Sequence, residues 1–209
     1  SGEQLVAGDS VKIYIDGVPG NYTAYMSEPY DSAPEETGEP VWSQEDFDEV
    51  TEMVDAMGMQ LCTHGIGDAG IERIVNSYAR LDDIRDPWDS RHRVDHCEFP
   101  KPADVVRMGE HGIYAAVQPS HFFGADDLAV ADLGLDRLKP MMPWASMEQA
   151  KVGLSFGSDW VAAPIKPFYG LIISALRMNY LGEFDWAPEE AIDLYNAIVH
   201  YTLDSAIAL

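Results

Sequence analysis

Five short stretches of the chain alternate apolar and polar positions or run β-branched, and most are separated by stretches with helical spacing. Residues 11–16 (VKIYID) predict a first strand, closed by Gly17. Residues 43–57 predict a helix. Ser43 is a candidate N-cap, Glu45 and Asp46 place acids in the first turn, and Phe47, Val50, Met53, Val54 and Met57 keep helical spacing up to Gly58. Residues 59–64 (MQLCTH) predict a second strand and 68–81 a second helix. Residues 91–97 (RHRVDHC) predict a third strand, followed by a short helix over 102–110 with Pro102 at its start. Residues 113–118 (IYAAVQ) and 152–159 (VGLSFGSD) predict the fourth and fifth strands, and further helices are expected over 169–181 and 188–207. The Pro-, Gly- and acid-rich stretch 28–40 predicts an exposed loop, a place for a lid.

Strands alternating with helices imply βαβ units and a parallel sheet, and right-handed crossovers put every strand's C-terminal end on one edge. The polar residues at those ends are Asp16, His64, His96, Gln118 and Asp159. In a (β/α) barrel that edge carries the active site. Strand parity supports the assignment. Lys12, Tyr14 and Asp16 share a face opposite Val11, Ile13 and Ile15. Gln60, Cys62 and His64 lie opposite Met59, Leu61 and Thr63, and Ser155, Gly157 and Asp159 opposite Leu154, Phe156 and Ser158. Polar or small residues thus face the interior and mostly apolar ones the helices. The third strand breaks the pattern: with His96 inward, Arg91, Arg93 and Asp95 are expected to point at the helices.

Composition narrows the function classes. Apolar residues make up 46% of the 209, enough for one sizeable core. Asp plus Glu number 36 against 13 Lys plus Arg, a formal charge of −23, which disfavours nucleic acid and anionic membranes as partners. No stretch approaches the roughly 20 apolar residues of a membrane span. No basic start followed by an apolar run marks a signal peptide, and the opening residues read like mid-protein sequence. Cys62 and Cys97 are too few for a disulfide framework and are expected as buried thiols.

The short zinc signatures HExxH and paired CxxC are absent. His92 and His96 are four apart, a helix-face spacing, but RHRVDHC lacks helical amphipathicity. His92 is therefore expected to be a packed or hydrogen-bonded histidine below His96. Singly, His64 or His96 reads as structural. Together they end consecutive strands, with Asp159 ending another and Lys12 opening a fourth, and this coincidence points to a metal site. A Lys inside a barrel is costly unless paired or modified, and its plain role is an ion pair with a carboxylate such as Asp16.

Six ordered motifs carry a resemblance: VKIYIDG (11–17) with Thr23-Ala24, HGIGDAGI (64–71), RHRVDHCE (91–98), AVQPSH (116–121) and GSDW (157–160). The chain resembles the amidohydrolase superfamily, in its YtcJ-like amidohydrolase family 3 branch, from about residue 8 to the end. That resemblance implies an α/β fold, a (β/α)8 TIM-type barrel holding one or two divalent metals, with zinc expected. It implies a metal-dependent hydrolase of amide or other C–N bonds acting on a small-molecule substrate. By resemblance Lys12 sits on the fourth strand, where family lysines are often carbamylated to bridge two metals. His64 and His96 match the ligands of strands five and six. Asp159 matches the strand-eight aspartate that binds metal and shuttles the proton of the attacking water, and Gln118 and His121 match positions near the substrate.

The family's first-strand His-x-His pair does not occur in this chain. The resemblance therefore implies a partial barrel, with residues 1–209 as the C-terminal portion, strands four to eight of the expected eight, and the N-terminal strands and flanking β-sandwich absent. A homo-oligomer or a missing N-terminal portion is expected, because an open half barrel exposes sheet edges. The rival from another class is a truncated, non-catalytic barrel acting as a binding or regulatory module; a weaker rival is an esterase or phosphoesterase on the same scaffold.

Overall fold

The computed structural model describes residues 9–84, 86, 88–124, 127–178 and 187–209. The expected strands form a five-stranded parallel sheet of β1 (Ser10–Tyr14), β2 (Gln60–Gly65), β3 (Arg93–His96), β4 (Tyr114–Val117) and β5 (Gly153–Phe156). Each strand pairs with the next in chain order, so the sheet grows in one direction without reversal. The connections carry α1 (Gln44–Ala56), α2 (Asp68–Ile84), α3 (Pro102–Glu110), and both α4 (Asp127–Leu138) and α5 (Trp144–Gln149) between β4 and β5. After β5 come α6 (Pro167–Leu176), α7 (Leu194–Tyr201) and α8 (Leu203–Ile207).

Local chemistry sets these boundaries. Ser43 caps α1 by accepting from the Asp46 N–H, a contact worth about 1 kcal/mol. Pro167 opens α6 earlier than its apolar spacing suggests, and Arg177 ends it in a left-handed conformation; residues 179–181 of the expected helix lie outside the described residues. The single helix expected over 188–207 is instead a short 3-10 turn (Pro188–Glu190) followed by α7, capped by Asp193, and α8, separated by a break at Thr202. Helices α4 and α5 were not expected from the apolar pattern. The loop over 28–40 is mostly exposed but anchored, with Tyr30 buried and its hydroxyl donating to the Ala24 carbonyl.

Register assigns the two faces. Ile13, Thr63, Val94, Ala115 and Leu154 lie abreast and buried, and with Leu61 and Val117 they pack in one core with Phe47, Ile74, Met108 and Met147 of the helices. On the opposite, inner face, Lys12, Cys62, Arg93, Tyr114 and Gly153 form one level, and Tyr14, His64, Asp95, Ala116 and Ser155 the level above. Arg93 and Asp95 therefore face inward, which corrects the expectation that they point at the helices. The cause is a twist at the end of β3. His96 is in register with Gly65, where an added Cβ would strike Ile74 of α2, so an extended strand would aim His96 outward. His96 and Cys97 instead adopt φ of 74° and 48°, and this left-handed corner swings the imidazole to the inner side.

The lower end of the inner face is closed by the last turn of the chain. The Ala208 carbonyl accepts from Gln60 Nε2 at 2.9 Å and Arg93 Nη1 at 3.3 Å, and the Ser155 and Ser205 hydroxyls meet at 3.2 Å. Cys62 and Cys97 are free and buried. Among the described residues no helix is long and apolar enough to cross a membrane.

Candidate active site

A cavity of about 450 Å³ opens above the inner face and brings together all six residues singled out by sequence: Lys12, His64, His96, Gln118, His121 and Asp159. Tyr14, Arg93 and Asp95 share its lining. A smaller cavity of about 290 Å³, lined by Met26, Phe99, Lys101 and Arg137, holds none of the imidazoles.

The hydrogen bonds of the three imidazoles fix where their protons sit. His64 Nε2 lies 3.0 Å from the Gly17 carbonyl, which only accepts, so Nε2 carries the proton and Nδ1 is bare. Gln118 donates its amide to the Ala116 carbonyl at 3.1 Å, which turns Oε1 toward His96 Nδ1 at 2.8 Å. His96 thus donates from Nδ1 and keeps a lone pair on Nε2. His121 donates from Nδ1 to Glu98 Oε1 at 3.1 Å. Its Nε2 is buried without a hydrogen-bond partner among the described residues, 3.8 Å from Asp159 Oδ2. The His64 and His96 rings meet edge to face at 4.5 Å between centroids, and His96 stacks on His121 at 5.7 Å.

Burial lowers the proton affinity of His64 and His96 below the ordinary imidazole value, and the nearby Lys12 charge acts in the same direction. Neutral rings with one nitrogen tied to an acceptor and the other bare are the form in which imidazole binds a metal. The donor chemistry of the His64–His96 pair therefore fits a divalent ion. Among the described residues no three His, Cys, Asp or Glu groups stand close enough together to hold one by themselves.

Lys12 donates to Asp95 Oδ2, and Arg93 Nε donates to Asp95 Oδ1 at 2.9 Å. The partner of Lys12 is thus Asp95, not Asp16. Asp16 is buried and accepts from the N–H groups of Tyr25, Ile66 and Gly67, tying the ends of β1 and β2 to the loop between β1 and α1. Burial pushes its carboxyl up to about 7 against the pull of those three donors. Asp159 stands at the rim in a left-handed conformation, φ 52°, with its side chain about half exposed.

Glu98, Asp95 and Arg93 are the site residues that sequence reasoning missed. All three lie in the RHRVDHCE run, whose density of charge inside a strand was the available signal.

A parallel sheet with imidazoles at its C-terminal rim defines the class of fold, and comparison with known proteins agrees. The chain superposes on an uncharacterized metal-dependent hydrolase from Pyrococcus horikoshii OT3 with a TM-score of 0.82 at 23% identity, covering 95% of this chain and 39% of that one. It is 30% identical to the protein LONG AFTER FAR-RED 3 of Arabidopsis thaliana over 95% of this chain and 34% of that protein. It is 29% identical to YtcJ of Bacillus subtilis (strain 168), which carries an amidohydrolase name, over 94% of this chain and 37% of that protein. The chain thus spans about a third of the length of the curated relatives it matches. A sequence profile of the amidohydrolase family matches residues 1–209. The chain belongs to the amidohydrolase family.

Proposed function

We propose that the chain forms one wall of a metal-dependent hydrolase site that cleaves amide or other C–N bonds of a small-molecule substrate with water. The observation that carries this reading is the trio His64, His96 and His121 on one cavity, each with a proton pinned on one nitrogen by an acceptor. His64 Nδ1 and His96 Nε2 would hold a divalent ion, zinc being the usual partner of imidazole; when bound, that ion polarises a carbonyl and makes hydroxide available near neutral pH. Asp159 accepts the water proton as the water oxygen bonds to the carbonyl carbon, and returns it to the nitrogen as the C–N bond breaks. Gln118 holds the His96 ring, and His121 faces the substrate beside Asp159. A carbamate on Lys12 would add an anionic oxygen for a second ion and would require Asp95 to leave Lys12 and keep Arg93 alone.

In this reading the sheet is an arc of a TIM-type barrel. The rest of the wall, with further ligands, comes from polypeptide equivalent to the two-thirds of the relatives outside the match, or from a second copy of the chain.

Zinc titration of the purified chain by calorimetry, with elemental analysis, tests the reading. Uptake of at least one ion per chain by His64 and His96 is expected, more weakly than by a site with all its ligands. Asp159→Asn is expected to keep an ion on the imidazoles and lower kcat by about 10²- to 10⁴-fold on any amide the protein hydrolyses. A chain that takes up no divalent ion sinks the catalytic reading. It leaves a non-catalytic binding module.

A further inference from the structure

The hydrolase reading gives no task to Arg177, the one Lys or Arg that is fully buried among the described residues. A buried guanidinium is costly unless its N–H groups find acceptors. Two backbone carbonyls serve here: Nη1 donates to that of Met142 and Nη2 to that of Met141, each at 2.8 Å. Its Cζ also lies 4.5 Å from the centre of the Phe122 ring and 4.6 Å from that of Trp144, both within cation–π range. Burial draws its proton affinity down to about 10, which leaves it charged at neutral pH.

These contacts join segments that follow three different strands. Arg177 ends α6, after β5, in a left-handed conformation at φ 54°. Phe122 belongs to the 3-10 turn Pro119–Gly124 after β4, next to His121. Met142 lies in the link between α4 and α5, and its N–H donates to the carbonyl of Glu98, two residues past β3, at 2.7 Å. Successive carbonyls of an extended chain point to opposite sides. At Met142 the backbone is left-handed, φ 49°, and two successive carbonyls meet one guanidinium. A methionine in place of Arg177 would pack against Phe122 and Trp144 without the desolvation cost, and apolar replacements of buried charge are often neutral or stabilising. Packing alone therefore does not account for a cation here; fixing two carbonyls does.

We infer that Arg177 is a positioning residue that locks the segment after β3 to the turn after β4 and so sets where His121 stands in the cavity. It reaches His121 by two routes. One is Phe122, the next residue in sequence. The other is Met142, whose partner Glu98 holds the His121 ring at 3.1 Å. A planar fork with two donors fixes direction as well as distance, whereas apolar contact is non-directional. The inference rests on the hydrolase reading for its purpose, since there His121 faces the substrate, but not for its geometry.

Amide hydrogen exchange on the wild-type chain and Arg177→Met, beside urea unfolding of both, tests the inference. The Met142 and His121 amides, bonded to the Glu98 and Gln118 carbonyls, are expected to exchange at least about 10-fold faster in the variant than its loss of global stability explains. The amides of β1 and β2 should follow global stability alone. A uniform acceleration, or none at Met142, overturns the inference. If Arg177→Met does not fold, Arg177→Lys carries the test, because one ammonium replaces two donors held in a plane; unchanged exchange at Met142 in that variant overturns the inference as well. Where the protein hydrolyses an amide, Arg177→Met is expected to lower kcat/KM by about 10- to 100-fold and to leave zinc affinity within about threefold, because His64 and His96 are carried by strands. A matching loss of zinc affinity would place the damage in the sheet and overturn the inference. Exchange needs neither metal nor turnover, so a chain that takes up no zinc but shows the local acceleration loses the hydrolase reading and keeps the positioning.

Discussion

His92 and His96 lie four residues apart in one run and at opposite ends of β3, and they show two uses of the same side chain. His92 is spent on the fold. Its Nδ1 accepts from the Leu61 N–H at 3.0 Å and its Nε2 meets Asp55 Oδ1 at 2.9 Å, so both nitrogens are committed. Trp88 Nε1 donates to the same Asp55 oxygen at 2.7 Å, making the group a buried clamp between strands and α1. His96 commits only Nδ1, to Gln118, and faces a cavity. Burial lowers the proton affinity of both. What separates a structural histidine from a candidate ligand is therefore the count of committed nitrogens, not burial.

The largest test of that contrast is metal affinity. His96→Ala or His64→Ala is expected to weaken zinc binding by about 100-fold or more, since a two-imidazole pair cannot chelate with one ring. His92→Ala is expected to leave zinc affinity within about twofold while lowering stability by about 1–3 kcal/mol, through the unpaired Leu61 N–H and the lost Asp55 contact. Calorimetric titration beside urea unfolding separates the two effects. Equal losses of zinc affinity in His92→Ala and His96→Ala would end the distinction.

The contrast also explains what was legible in the sequence. Polar strand ends and parity on β1 and β2 identify His64 and Lys12 as inward-facing, because those strands stay extended up to the residues concerned, whereas Asp159 lies three residues past β5 in a left-handed conformation and lines the cavity from its rim. The same parity misassigns Arg93 and Asp95, because alternation holds only while φ stays extended, and His96 breaks it at 74°. No side-chain pattern announces that corner, which was inferable only from the conflict between an inward His96 and three charged residues aimed at the core. Asp16 was legible as a strand-end acid but not as a cap for three backbone N–H groups, because its donors come from residues 25, 66 and 67, across two loops. Helices α4 and α5 escaped because Gly134, at φ 71°, interrupts the first and only six residues form the second. Glu98 is placed by tertiary contact with a residue 23 positions away.

The smallest expected effect is the clamp's own share of the pH dependence of stability. Burial holds His92 below the ordinary imidazole value of 6.5. Protonating Nδ1 would also set two donors, that nitrogen and the Leu61 N–H, against each other. The folded state therefore resists a proton that the unfolded chain accepts, so the unfolded state binds more protons below pH 6.5. Stability from this group is full above that value and declines as pH falls through the folded-state value, at no more than about 1.4 kcal/mol per pH unit for one proton. Urea unfolding of wild type and His92→Asn at pH 7.5 and 5.5 isolates it, because His64 and His96 titrate in both proteins and cancel in the difference. Wild type should lose more stability than the variant over that interval. Parallel losses would mean that His92 titrates alike folded and unfolded, and that its two committed nitrogens do not hold the ring neutral.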